Sequence, residues 1–166
     1  MPIRDAILME LDQESQATKR VLECIPEDKL GWKPHQKSSS LGQLALHLAA
    51  APGKVAAAAV QDRFEIPEIP QPEALSRQEI LDTFSESLAA AKETIGQMDD
   101  AQLLSLWTGT KNGQAVMSVP RIGFIRAILL NHGYHHRGQL SVYLRLLDVP
   151  LPPVYGQTAD ENPWQQ

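Results

Sequence analysis

The sequence predicts an all-α fold: a four-helix bundle with a long second-to-third helix connection and an irregular C-terminal tail, in one domain over residues 1–166. Three observations predict it. Apolar residues recur at three-and-four spacing through most of the chain. No run of strand-like alternation joined by a hairpin turn stands out. The length of 166 residues, 43% of them apolar, supports one sizeable core better than two small ones.

In the first helical segment Leu8, Leu11, Leu22 and Ile25 share a stripe, with Ser15 and Thr18 forming a small polar centre, and Pro26 marks its end. The second opens at Ser40, where Gln43 three residues on completes a capping box, and continues through Leu41, Leu44, His47, Leu48, Ala51 and Val55. Pro52 lies inside that run and removes a backbone donor, so a kink or a fresh start is expected there. The stretch IPEIPQP at 66–72 is too rich in proline for helix and reads as a stiff connection. Ser76 and Glu79 form another capping box before Leu81, Phe84, Leu88, Ala91, Ile95 and Met98, the cleanest periodic run in the chain. Residues 99–118, with Gly109, Asn112 and Gly113, read as a loop containing at most a short turn. The fourth helix begins near Val119 or Pro120 and runs to about Leu147, on the stripe Ile122, Ile125, Leu129, His132, His136, Leu140, Tyr143 and Leu147. Four such segments, each with one apolar face, bury those faces most simply against one another.

Composition narrows the partners. Fifteen Lys and Arg against twenty Asp and Glu leave a net charge of -5, which disfavours nucleic acid and anionic lipid. Pro52 and Lys54 interrupt the Ala-rich stretch around 45–60, so no apolar run is expected to reach the roughly 18 residues of a membrane span. The N-terminus, MPIRDAILMELDQE, carries acids where a signal peptide needs an apolar stretch, and a cytoplasmic location is expected. Cys24, the one cysteine, allows no internal disulfide, and beside Ile25 and Pro26 it reads as an inert packing residue. There is no G-x-S-x-G elbow and no phosphate-cradling glycine loop.

The chemistry-bearing residues are histidines. His132 and His136 are four apart, so on a helix their directions differ by only about 40°, and one metal ion can meet both rings. Both fall on the stripe predicted to face the interior, where imidazole nitrogens lose water and need partners. Two hydrogen-bonded core histidines would satisfy the same pattern. His47, on the inner stripe of the second helix, supplies a third imidazole if that helix packs against the fourth. Three neutral histidines with an open fourth position form a catalytic-type zinc site, and imidazole also suits nickel, iron or copper. His135 competes as a partner of His132 but lies on the flank of the stripe with Ile128 and Val142, and His35 is expected to be exposed. Arg137 points about 100° from His136, toward an anchoring role on the acidic tail at Asp160 or Glu161. Tyr143 on the same stripe either lines a pocket or packs.

The string NHGYHHRGQLSVYLRLLDVPLPPVYGQTADE at 131–161 closely resembles the C-terminal signature of the DinB/YfiT-like family of metal-binding four-helix bundles, and SLGQLALHLAAAPG resembles that family's other histidine segment. The resemblance extends over essentially the whole chain. Gln157 departs from it, since related tails often carry Pro after Tyr-Gly. It implies a metal triad of His47, His132 and His136, often a homodimer, and transferase or isomerase chemistry with low-molecular-weight thiols. A divalent ion is therefore expected, zinc or nickel first and iron or manganese next. The leading expectation is a metal-dependent enzyme, a transferase using a small thiol as its partner substrate. The alternatives are a non-catalytic metal-binding helical dimer and a metal-assisted hydrolase. Sparse carboxylates on the predicted inner faces rank the hydrolase lower, because no general base is evident.

Overall fold

A computed structural model describes residues 1–68 and 70–164, so Ile69 of the proline-rich connection and Gln165 and Gln166 of the tail lie outside the described residues. The chain runs α1 (Ile3–Glu23), a 3-10 turn (Glu27–Lys29), α2 (Leu41–Val60), β1 (Arg63–Glu65), α3 (Arg77–Gly96), α4 (Asp100–Leu104), β2 (Leu106–Lys111) and β3 (Gln114–Pro120). Three consecutive segments, Arg121–Phe124, Ile125–Asn131 and His132–Leu146, then run end to end as the last helix, α5. The expected all-α four-helix bundle is thus incorrect. Among the described residues there are five helices and a three-stranded mixed sheet in the order β1-β2-β3.

Two strands of the sheet, β2 and most of β3, occupy the region 99–118 read from the sequence as a loop. Asn112 and Gly113 both adopt positive φ, 52° and 75°. This is the turn chemistry that matches the twist of a two-stranded hairpin, and β2 and β3 pair antiparallel around it, with a register shift between Gly109 and Thr110. Alternation gave no signal because β3 is exposed from Gln114 through Ser118 and buries no apolar side chain there. β1 joins in parallel, Phe64 opposite Gly109, with α3 and α4 forming the crossover that a parallel pair requires.

The helix boundaries follow local chemistry. Ser40 and Gln43 form the reciprocal capping box of α2. Ser76 accepts from the Glu79 amide at 3.0 Å, but the Glu79 carboxylate accepts from the Leu75 amide at 2.6 Å, so that cap is one-sided. α2 does not restart at Pro52. The neighbouring Gly53 N–H donates to Ser87 Oγ of α3 at 2.8 Å, and the same hydroxyl donates to the Ala50 carbonyl at 3.1 Å, which gives the Gly53 amide a partner and ties α2 to α3 beside the proline. A Cβ on Gly53 would lie 3.1 Å from the Ser87 carbonyl oxygen, so glycine lets the two helices approach this closely. By length and composition α2 does meet the requirements of a membrane span, contrary to the expectation that Pro52 and Lys54 would prevent it. Its apolarity serves the interior, since it lies against α3 and α5 and buries Leu41, Leu44, Leu48 and Val55 together with Ala45, Ala49 and Ala51.

Two clusters of buried side chains divide the core. One lies under the sheet and includes Ile7, Ile95, Trp107, Phe124, Ile125 and Leu130. The other gathers Leu22, Leu41, Leu44, Ile80, Phe84, Leu140 and Leu144 at the opposite end of the long helices. His47 and the pair His132 and His136 fall between these clusters along α2 and α5.

Candidate metal centre

The middle segment of α5, Ile125–Asn131, is wound as a π-helix and gives way to ordinary α-helix at His132. Such wide turns recur at functional sites. From this junction His132 and His136 project on one face, and α2 brings His47 opposite them. The three ring centroids are 4.2 to 5.3 Å apart, and one nitrogen from each ring lies within 4.8 Å of the others. His135 is exposed and stays outside the group, although its ring is 5.0 Å from that of His136. His35 is exposed, as expected.

Hydrogen bonding orients the rings. His136 Nδ1 lies 2.7 Å from Gln139 Oε1, an acceptor, which places the proton on Nδ1 and turns the Nε2 lone pair inward. His132 Nε2 donates to that lone pair at 2.8 Å, and His132 Nδ1 is then left buried with no partner. Burial, followed by the nearby His136, His47 and His135 charges, pushes His132 down to about 4 from its ordinary 6.5. Burial also lowers His47 and His136. All three rings are therefore neutral at pH 7, the form a metal requires.

The donor set fits a divalent ion. Tetrahedral zinc with bonds of about 2.0–2.1 Å separates its ligand nitrogens by roughly 3.3 Å, so the 2.8 Å His132–His136 pair has only to open slightly while His47 closes in. His47, His132 and His136 would hold the ion, with Gln139 orienting His136.

Two spaces meet at the histidines. A polar pocket of about 270 Å³ is bounded by Ser39, Leu44 and Gln71 together with all three rings. On the other side, an apolar cavity of about 380 Å³ reaches His47 and His132 and is walled by the sheet, α2, α5 and Ile66, Pro67 and Pro70 of the connection after β1. Gln71 and the cavity walls were not anticipated from the sequence. The Asn-Gly turn beside Trp107 was the available signal, since a hairpin there places an indole against the helices.

Arg137 does face away from the histidines, but it does not bind Asp160 or Glu161. It is 3% exposed and pairs with Glu14 of α1 at 2.7 Å. It also donates to Tyr155 Oη at 2.6 Å and to Thr18 Oγ1 at 3.3 Å, which accounts for Thr18 in the polar centre of the first helix, whereas Ser15 donates to the Asp12 carbonyl at 2.8 Å. Arg145 instead pairs with Asp160, and Arg20 with Glu161. Tyr143 packs edge-on to Trp32 and donates to the Ser39 carbonyl, outside the histidine pockets. The Cys24 thiol, raised chiefly by burial, is not activated.

Comparison with known proteins places this arrangement. Residues 10–140 match the sequence profile of the DinB superfamily, and the chain belongs to that family. It is 25% identical over 161 residues to YrdA of Bacillus subtilis (strain 168), an uncharacterized protein, covering 95% of this chain and 90% of YrdA. The fold is similar to the crystal structure of a DinB-like protein from Bacillus cereus ATCC 10987 (TM-score 0.74, 22% identity, 93% of this chain and 98% of that one). It is also similar to that of the DinB-like protein YjoA from Bacillus subtilis (TM-score 0.71, 18% identity, 92% and 99%).

Proposed function

We propose that the protein is a metal-dependent enzyme that transfers a low-molecular-weight thiol, with a divalent ion, zinc or nickel first, held by His47, His132 and His136. The observation that carries this reading is the convergence of three neutral imidazoles from two helices at the meeting point of a polar pocket and an apolar cavity. When bound at an open coordination position, such an ion acidifies a thiol and makes it a nucleophile near neutral pH. The chain supplies the rest. Ser39 and Gln71 offer polar contacts on one side, and the cavity offers an apolar surface on the other. Gln139 fixes the His136 tautomer.

A hydrolase would need a general base. Among the described residues around the two pockets the only carboxylate is Glu68, whose partner is Lys111 at 3.0 Å, so thiol chemistry is the better match. The test is turnover of a panel of electrophiles with small thiols by metal-replete protein. Thiol-dependent product formation that disappears in His132→Ala is expected. Turnover of esters or amides without thiol would overturn the transferase in favour of the hydrolase, and no turnover at all would favour the metal-binding dimer. The reading extends to a cytoplasmic homodimer, and light scattering across protein concentrations should return twice the chain mass.

A further inference from the structure

The apolar cavity opens beside the core cluster under the sheet, and Trp107, Phe124 and Val55 belong to both. Every strand contributes one wall residue, Phe64 from β1, Trp107 from β2 and Met117 from β3, facing Ile128 of α5. Trp107 is only 1% exposed, and its Nε1–H donates to the Ala58 carbonyl at 3.0 Å, so the indole presents no unused polar group. Its placement requires Gly109, where a Cβ would lie 2.9 Å from the ring. The polar side chains around the cavity divide by position. Lys54 and Glu68 are exposed, and Glu68 is paired to Lys111. His47 and His132 stand where the cavity meets the second pocket.

We propose that this cavity is the specificity pocket for the second substrate, an electrophile whose body is an uncharged apolar group and whose reacting atom lies at the His47–His132 end. This deepens the proposed function and rests on it for the identity of the reacting end. At about 30 Å³ per non-hydrogen atom, 380 Å³ accommodates roughly a dozen such atoms. The sheet is then the specificity element of the molecule, and the helices carry the histidines.

The experiment uses straight-chain 1-alkanols from butanol to dodecanol on the metal-free protein, followed by the indole N–H resonances of its three tryptophans. Affinity should tighten about fourfold per methylene up to undecanol, whose dozen non-hydrogen atoms fill the cavity, with the shift centred on the Trp107 resonance. Ile128→Trp, and Met117→Trp at a position 38% exposed and so tolerant of substitution, should each weaken octanol at least tenfold while retaining the parental melting temperature within a few degrees. Affinity independent of chain length, an unmoved Trp107 resonance, or equal binding by both folded variants would overturn the proposal. Zinc uptake is measured in parallel. A steep alkanol series without zinc uptake would remove the metal reading and keep the cavity, whereas zinc uptake with a flat series would do the reverse.

Discussion

Residues 136 and 137 are neighbours on α5, yet they enter two buried polar clusters of opposite character. Arg137 meets a carboxylate, a carbonyl, a phenol and a threonine hydroxyl, so each terminal guanidinium nitrogen makes two hydrogen bonds. Among the described residues His136 hydrogen-bonds only to Gln139 and another imidazole, and its cluster contains a buried nitrogen, His132 Nδ1, without a partner there. A saturated network stabilises one arrangement, while an unsaturated one at the junction of two pockets keeps bonding capacity for something else. The first cluster therefore reads as structure and the second as a site.

The largest way to break that contrast is Arg137→Ala. It strands Glu14 in a partly buried position and should cost about 3–5 kcal/mol in chemical denaturation, with zinc stoichiometry in the surviving folded fraction unchanged. His47→Ala should do the opposite, lowering zinc affinity at least a hundredfold in competition titrations while leaving the melting temperature of the metal-free protein within a few degrees. Gln139→Ala, which frees the His136 tautomer, should weaken zinc about tenfold, at the lower end for an outer-shell partner.

The smallest effect on zinc is that of pH above neutrality. His132 sits at about 4 in the folded chain against 6.5 unfolded, so the unfolded chain binds more protons between those values. Its contribution to stability is whole above about pH 6.5 and lost as pH falls toward 4. Because the rings are already neutral, zinc affinity should be flat from pH 7 to 8 and decline only below the ordinary histidine range. A decline beginning near pH 7 would mean that the rings are not desolvated as described.

The same division shows how far the sequence could be read. His47, His132 and His136 were legible because helical periodicity places them on inner stripes and the chelate spacing is local. Ser40, Pro26 and the onset of α5 near Pro120 were legible from capping and proline chemistry for the same reason. The hairpin was not, because its outer strand buries almost nothing and its signal was reduced to Asn112-Gly113. Neither was the partner of Arg137. Angle arithmetic turned it away from the histidines correctly, but Glu14 lies more than a hundred residues earlier, and only packing of α1 on α5 brings the two charges together. The π-helical turn before His132 has no residue pattern that announces it.

The account stands most directly on metal stoichiometry. Protein purified without a histidine tag, reconstituted with zinc and freed of excess, should hold one ion per chain by elemental analysis. His47→Ala and His136→Ala should each lose it with the fold retained. Folded parental protein that takes up no zinc or nickel, or variants that bind as well as the parent, would return the three histidines to core packing and contradict the account.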